Sequence, residues 1–250
     1  MKVGIEIEFT GVARETVAER LSVLFNGSYE LVEFFKADGN ITRYRITDDC
    51  GHQWYIMKDR SIQVENIDDA ISFEEFMCEF VTPVLDTKDH FMMNRFDKAI
   101  ESIIQLGAVV NLSCGLHIHV DMHDLQWADK LFRRVFDNQN NLAAVLHIPM
   151  RRKEKYCKLY PEWFVNEYLE HSEFKSLDEW EAFFYDKLAF GEDRDDAHNS
   201  VRYYILNMNS IHKQNTIEFR PFNSTLSRDL IYSYLFIVEQ ICNFGEDSVV

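Results

Sequence analysis

Three short segments of this chain share a pattern that few folds can satisfy. In GIEIEF at 4–9, LHIHV at 116–120 and TIEFRPF at 216–222, apolar residues alternate with ionisable ones. A period of two is the mark of an extended strand, on which residues i and i+2 share a face. Glu6 and Glu8 therefore share one face of the first segment, opposite Ile5, Ile7 and Phe9. His117 and His119 lie opposite Leu116, Ile118 and Val120, and Glu218 and Arg220 lie opposite Ile217 and Phe219. Each strand buries one apolar face and presents two ionisable groups on the other.

One strand of this kind is ordinary, since an antiparallel sheet often keeps a solvated face. Solvated faces, however, normally carry Thr, Ser, Lys or Arg, because acidic residues fit strands poorly. The set E-x-E, H-x-H and E-x-R points instead to a concave polar cleft. Two carboxylates side by side repel each other unless a cation sits between them. Carboxylate oxygens suit Mg²⁺ or Mn²⁺, and imidazole is the better tolerated by manganese.

The remaining pattern sets the fold class. Further strands are expected at Lys2 to Thr10, Arg43 to Thr47, His52 to Met57 and Phe76 to Thr82, with Asp48-Asp49-Cys50-Gly51 as a hairpin turn. Helical spacing runs through Phe91, Phe96, Ile100 and Ile103 after Thr87, stopping at Gly107. Ser176 and Glu179 form a capping box ahead of an aromatic helix, and Ser227 opens an apolar helix through Tyr234, Val238 and Ile241. Weaker helices are expected at Arg14 to Phe25 and Leu125 to Leu146. Strands occur in adjacent pairs without regular βαβ alternation, which predicts an α+β fold with a mainly antiparallel sheet. No linker or repeat interrupts the chain, so 1–250 reads as one domain. Its least core-like stretch, 151–199, carries RRKEK and GEDRDD and reads as a helical insertion or lid.

Charge limits the partners. Acidic residues number 42 against 26 basic ones, a net charge of −16, which argues against nucleic-acid or anionic-membrane binding. A phosphate ligand would need a metal ion or a focused Arg cluster. No apolar run approaches the roughly 18 residues of a membrane span, and glutamates occupy the place of a signal peptide's apolar core, so a cytoplasmic protein is expected. The five cysteines lack paired spacing and read as reduced thiols. The oligomeric state is not written in the sequence.

Single residues carry competing readings. Glu79, inside the apolar FMCEFVTP, needs either an arginine partner or a metal or substrate amine. Asp59 and Ser61 follow a strand, where a turn is the simpler reading. Arg202 has many acids to pair with. His123 falls outside the His117/His119 alternation, at a loop or helix start. Trp180, Phe183 and Phe184 read as core.

Taken in order, GIEIEF at 4–9, W-x-x-x-K-D-x-S at 54–61, EFVTP at 79–83, CGLHIHV at 114–120 and TIEFRPFNST at 216–225 resemble the amidoligase family. That family lies within the carboxylate–amine ligase group that includes glutamine synthetase and glutamate–cysteine ligase. The resemblance implies a curved, mainly antiparallel sheet with helices on its convex side and a concave face that holds ATP and divalent metals. It implies a reaction in which ATP phosphorylates a carboxylate and an amine displaces the phosphate to give an amide, on small-molecule or peptide substrates. By the same resemblance Glu6, Glu8, Glu79, His117, His119 and Glu218 are metal-ligand candidates. Glu218, His119 and Arg220 would bind the nucleotide and its metals. Arg220, with Arg202 second, would steady the transferring phosphoryl group. Asp59 and Ser61 match a substrate-side element, with Arg60 where glycine is usual. No G-x-x-x-x-G-K-[ST] occurs, so a P-loop is excluded.

Two rivals remain. HIHVDMH is similar to the H-x-H-x-D-H cluster of metal-dependent hydrolases, but Met122 separates the Asp from the His. A non-catalytic binding protein that keeps the ligase fold is the other.

Overall fold

The computed structural model of the chain describes residues 1–36, 39–64, 73–194, 196 and 199–243. It falls into two compact units. The first takes Met1–Ile118 and Asn223–Tyr232, and the second takes His119–Phe222 and the chain from Ser233 onward. The architecture is α+β, and the strand pairs in register are antiparallel.

In chain order the first unit contains β1 (Lys2–Phe9), α1 (Arg14–Leu24), β2 (Ser28–Lys36), β3 (Gly39–Thr47) and β4 (Gln53–Met57). A 3-10 turn at Phe73–Phe76, β5 (Cys78–Val81), β6 (Leu85–Asp86) and α2 (His90–Gln105) follow, and then the first residues of β7 (Gly115–Asp121). Its strands lie in the order β2-β3-β4-β5-β1-β7, with β6 also beside β1. The alternation read in β1 is borne out: Val3, Ile5, Ile7 and Phe9 are fully buried. Trp54 is the hub of this core, stacked on Phe25 at 4.8 Å and on Phe80 at 5.9 Å. Val17 and Leu21 of α1 and Phe96, Ile100 and Ile103 of α2 complete it.

The ends of these elements follow local chemistry. Asp89 caps α2 by accepting from the backbone N–H groups of Phe91 and Met92, and Gly107, at φ +91°, ends the helical run. Thr87, which precedes the helix, instead accepts from the amino terminus of Met1 at 2.9 Å. The 48–51 turn forms as expected. Asp48 accepts from the backbone of Cys50 and His52 and from Trp54 Nε1 at 3.2 Å, and Arg95 lies 3.2 Å from its second oxygen. Burial alone would raise the Asp48 carboxyl, but these hydrogen bonds outweigh it and hold the group below the usual carboxylate range.

Strand β2 was not anticipated, and β3 begins earlier than Arg43. SYELVEFFK mixes acidic and apolar residues without strict alternation, and as an edge strand β2 is held by its backbone pairing with β3 over Ser28–Thr47 to Lys36–Gly39. Gly27 makes the entry to this hairpin possible, because a Cβ there would lie 1.9 Å from the carbonyl oxygen of Thr47.

The second unit contains β7 from His119 onward, α3 (Leu125–Val145), α4 (Met150–Lys155), α5 (Glu162–Glu170) and α6 (Leu177–Leu188). It continues with a 3-10 turn at Ser200–Tyr203, β8 (Leu206–Asn207), α7 (Ile211–Gln214), β9 (Thr216–Asn223) and most of α8 (Arg228–Cys242). Far from being core-poor, residues 151–199 supply much of its interior: Phe164, Tyr168, Trp180 and Phe184 are fully buried. Phe132 of α3 meets Trp180 and Phe184 edge-on, each at 5.1 Å, the geometry that ring quadrupoles favour. Trp180 Nε1 donates to the Tyr168 hydroxyl at 2.6 Å, so the buried indole is satisfied. Ser176 caps α6, but Glu179 reaches back to the N–H of Lys175 rather than to that of Ser176. Among the described residues, no helix is long and apolar enough to cross a membrane.

Candidate active site

In the first unit the ionisable row of β1 meets two neighbours. The antiparallel register of β1 with β5 places Glu8 directly opposite Glu79, and Glu6 opposite Val81. His117 of β7 sits against both β1 carboxylates, with Nδ1 3.3 Å from Glu6 and Nε2 3.8 Å from Glu8. One ligand atom from each of Glu8, Glu79 and His117 lies within 4.8 Å of the others. Glu8 and His117 are buried to 3–4% exposure and Glu79 to 9%, so water does little to screen them. The second oxygen of Glu8 accepts the N–H of Gly115 at 2.6 Å, which fixes the carboxylate's orientation. Ser224, at the end of the TIEFRPFNST segment, donates to the backbone oxygen of Glu8. Two carboxylates and an imidazole at this spacing make a donor set that fits a divalent cation.

In the second unit the face shared by Glu218 and Arg220 also exists as expected. Arg220 pairs with Glu218, while Asn207, opposite Glu218 in the β8–β9 register, donates to its other oxygen. Arg220 Nε donates to the backbone oxygen of Tyr156 at 3.0 Å. Behind this pair lies Arg152, 2% exposed, whose guanidinium donates to the carbonyls of Arg220 and Phe222. His119 is buried, with Nδ1 3.0 Å from the hydroxyl of Thr216. Sequence reasoning missed Arg152 and Asn207. The first was hidden in RRKEK, which reads as a solvated charge cluster, and the second had no signal short of the β8–β9 register.

The remaining candidates occupy plainer positions. Asp59 accepts the N–H of Ser61 at 2.6 Å, so the two form the turn that follows β4. That turn is anchored at Gln63, whose N–H donates to Ser113 Oγ at 2.8 Å and whose carbonyl accepts from Asn111 Nδ2 at 2.7 Å. The 111–113 loop in turn leads into Gly115, the donor to Glu8. Arg202 lies over the ring of Tyr203. His123 stacks on Trp127 at the start of α3, and neither it nor Asp121 joins any described group close enough to hold a metal. Asp48, Cys50 and His52 do form such a group, but the Asp48 carboxylate is already taken up by the turn and by Arg95.

The motifs read one by one also hold as a set. The family model described as "putative amidoligase enzyme" matches residues 1–241. The chain belongs to the amidoligase family. Membership makes an amide-bond-forming ligase the activity implied for this amidoligase-family chain. The match takes in β1, β5, β7 and β9, the four strands that carry Glu6, Glu8, Glu79, His117, His119, Glu218 and Arg220. No curated protein matches the chain in sequence.

Proposed function

We propose that this protein is an ATP-dependent carboxylate–amine ligase that works through an acyl phosphate. A carboxylate oxygen of one substrate attacks the γ-phosphorus of ATP and ADP leaves. The amine nitrogen of the second substrate then attacks the acyl carbon, gives up a proton and expels inorganic phosphate. Such chemistry asks little covalent work of the protein; positioning and charge neutralisation dominate.

The observation that carries this reading is the Glu8–Glu79–His117 group in a chain of the amidoligase family. Glu8, Glu79 and His117, with Glu6 beside the imidazole, would hold a divalent cation, Mg²⁺ or Mn²⁺. Bound there, the cation would neutralise polyphosphate charge. Arg220 binds oxygens of the transferring phosphoryl group, and Glu218 and Asn207 keep its guanidinium in place. His119 and Arg202 support nucleotide binding, and the Asp59–Ser61 turn faces the substrates. A curved glutamine-synthetase-like sheet belongs to the same reading.

Thermal unfolding with ATP, in Mg²⁺ or Mn²⁺ and then in EDTA, tests the first half. A ligand at 100 times its dissociation constant stabilises a fold by about 2.7 kcal/mol. The expected result is a metal-dependent rise with ATP, followed by release of ADP and phosphate that needs both an acid and an amine. A response to metal with none to ATP would instead favour the hydrolase, and a response to neither would leave a protein without this catalysis.

A further inference from the structure

The polar row of β1 runs one residue further than Glu6 and Glu8. Thr10 stays extended, exchanging both backbone hydrogen bonds with Val109 at 2.8 Å. The alternation that turns Ile5, Ile7 and Phe9 to the core therefore sets Thr10 on the face of Glu6 and Glu8. Beyond Val109 the loop is held by its own bonds: Asn111 accepts from Ser113, and both bind the backbone of Gln63. Gly115 then donates to Glu8 at 2.6 Å. The stretch 109–115 is thus pinned to β1 at Thr10 and again at Glu8, and Thr10 is only 4% exposed.

In this closed corner the Thr10 hydroxyl has no hydrogen-bond partner among the described residues. Buried hydroxyls are almost always paired, because leaving one unmet costs stability. Valine would fill the same space without that cost. The hydroxyl instead stands one strand repeat from Glu8, which with Glu79 and His117 makes a donor set that fits a divalent cation.

We infer that Thr10 is a positioning residue whose hydroxyl accepts a hydrogen bond from a water molecule on the cation held by Glu8, Glu79 and His117. The inference deepens the ligase reading and rests on it for the cation. Two residues along a strand span about 6.6 Å, which suits a bridging water better than a direct bond to the same ion. Mg²⁺ in particular gives up its waters reluctantly and keeps several of them when bound by protein carboxylates. A coordinated water donates, so it needs acceptors around it, and partners of this second layer orient the site and tune its affinity.

The test combines calorimetric titration with Mn²⁺ and thermal unfolding in EDTA, on wild type, Thr10→Val, Thr10→Ser and Glu79→Gln. Thr10→Val should weaken Mn²⁺ at least tenfold, roughly the scale on which outer-layer partners act. In EDTA it should melt no lower than wild type, since a methyl replaces an unmet hydroxyl. Thr10→Ser keeps the hydroxyl and should bind Mn²⁺ as wild type does. If Glu79→Gln loses Mn²⁺ and Thr10→Val binds it as wild type does, the role of Thr10 is overturned and the cation site stands. Equal losses in Thr10→Val and Thr10→Ser also overturn it, because the hydroxyl is then not the cause. A wild type that binds no Mn²⁺ overturns the inference together with the cation site. Loss in Thr10→Val restored in Thr10→Ser, from a wild type that joins no acid to any amine, upholds the inference and sinks the ligase reading alone.

Discussion

Replacing Glu79 with Gln keeps the side chain's shape and removes one of two carboxylates that face each other across β1 and β5. Their ligand atoms lie within 4.8 Å. With an effective dielectric constant of ~20, like charges at that separation repel by about 3 kcal/mol. The His117 imidazole, when protonated, offsets part of that. Without metal, Glu79→Gln should therefore be more stable than wild type by about 1–3 kcal/mol, or several degrees in midpoint for a chain of this size. With Mn²⁺ at 100 times its dissociation constant wild type gains about 2.7 kcal/mol, and the variant should gain little. The order of stabilities narrows or inverts on adding metal. Differential scanning fluorimetry in EDTA and in a Mn²⁺ series reads both effects. A variant that loses stability in EDTA and still responds fully to Mn²⁺ would show that Glu79 serves the fold and not a cation.

Other perturbations test the scaffold. Gly27→Ala should cost at least the 1–3 kcal/mol typical of overpacking, because the new methyl meets the Thr47 carbonyl, and urea unfolding measures it. The Asp48 carboxyl titrates below its ordinary range when folded, so its contribution is full above the unfolded value near 3.9 and lost as pH falls through the folded one. The stability gap between wild type and Asp48→Asn should accordingly be present at pH 7 and close in acid. Burial pushes the Cys78 and Cys242 thiols up to about 12 and that of Cys157 to about 11, while Cys50 alone of the five is exposed. A disulfide reagent at pH 8 should therefore titrate one thiol quickly in the native protein and five after denaturation. Several fast thiols in the native state would contradict the packing around β5, α4 and α8.

What the sequence reveals here depends on how far apart the informative residues lie. The strands of Glu6 and Glu8, of His117 and His119, and of Glu218 and Arg220 were legible because a period of two is local. That Glu8 meets Glu79 is a matter of register, which only the paired strands fix. Strand β2 escaped because edge strands need no apolar face, and Arg152 because a buried arginine and a solvated one look alike in RRKEK. The span 151–199 looked poor in core for a related reason. Its charges are conspicuous, and although Trp180, Phe183 and Phe184 already read as core, Phe164 and Tyr168 join them only when α5 and α6 pack together. Asp59 and Ser61 matched a motif, yet the structure shows them as a turn, and their place near a substrate rests on the ligase reading.

The two aromatic cores have an optical consequence. Of the four tryptophans, Trp54 is fully buried in the first unit and Trp180 in the second, while Trp163 is 49% exposed and Trp127 is only partly covered. Replacing Trp127 and Trp163 with Phe leaves one enclosed indole emitter per unit. Removing either of the remaining two then isolates the emission of the other, so that intrinsic fluorescence reports whether the halves of the chain melt together or in turn.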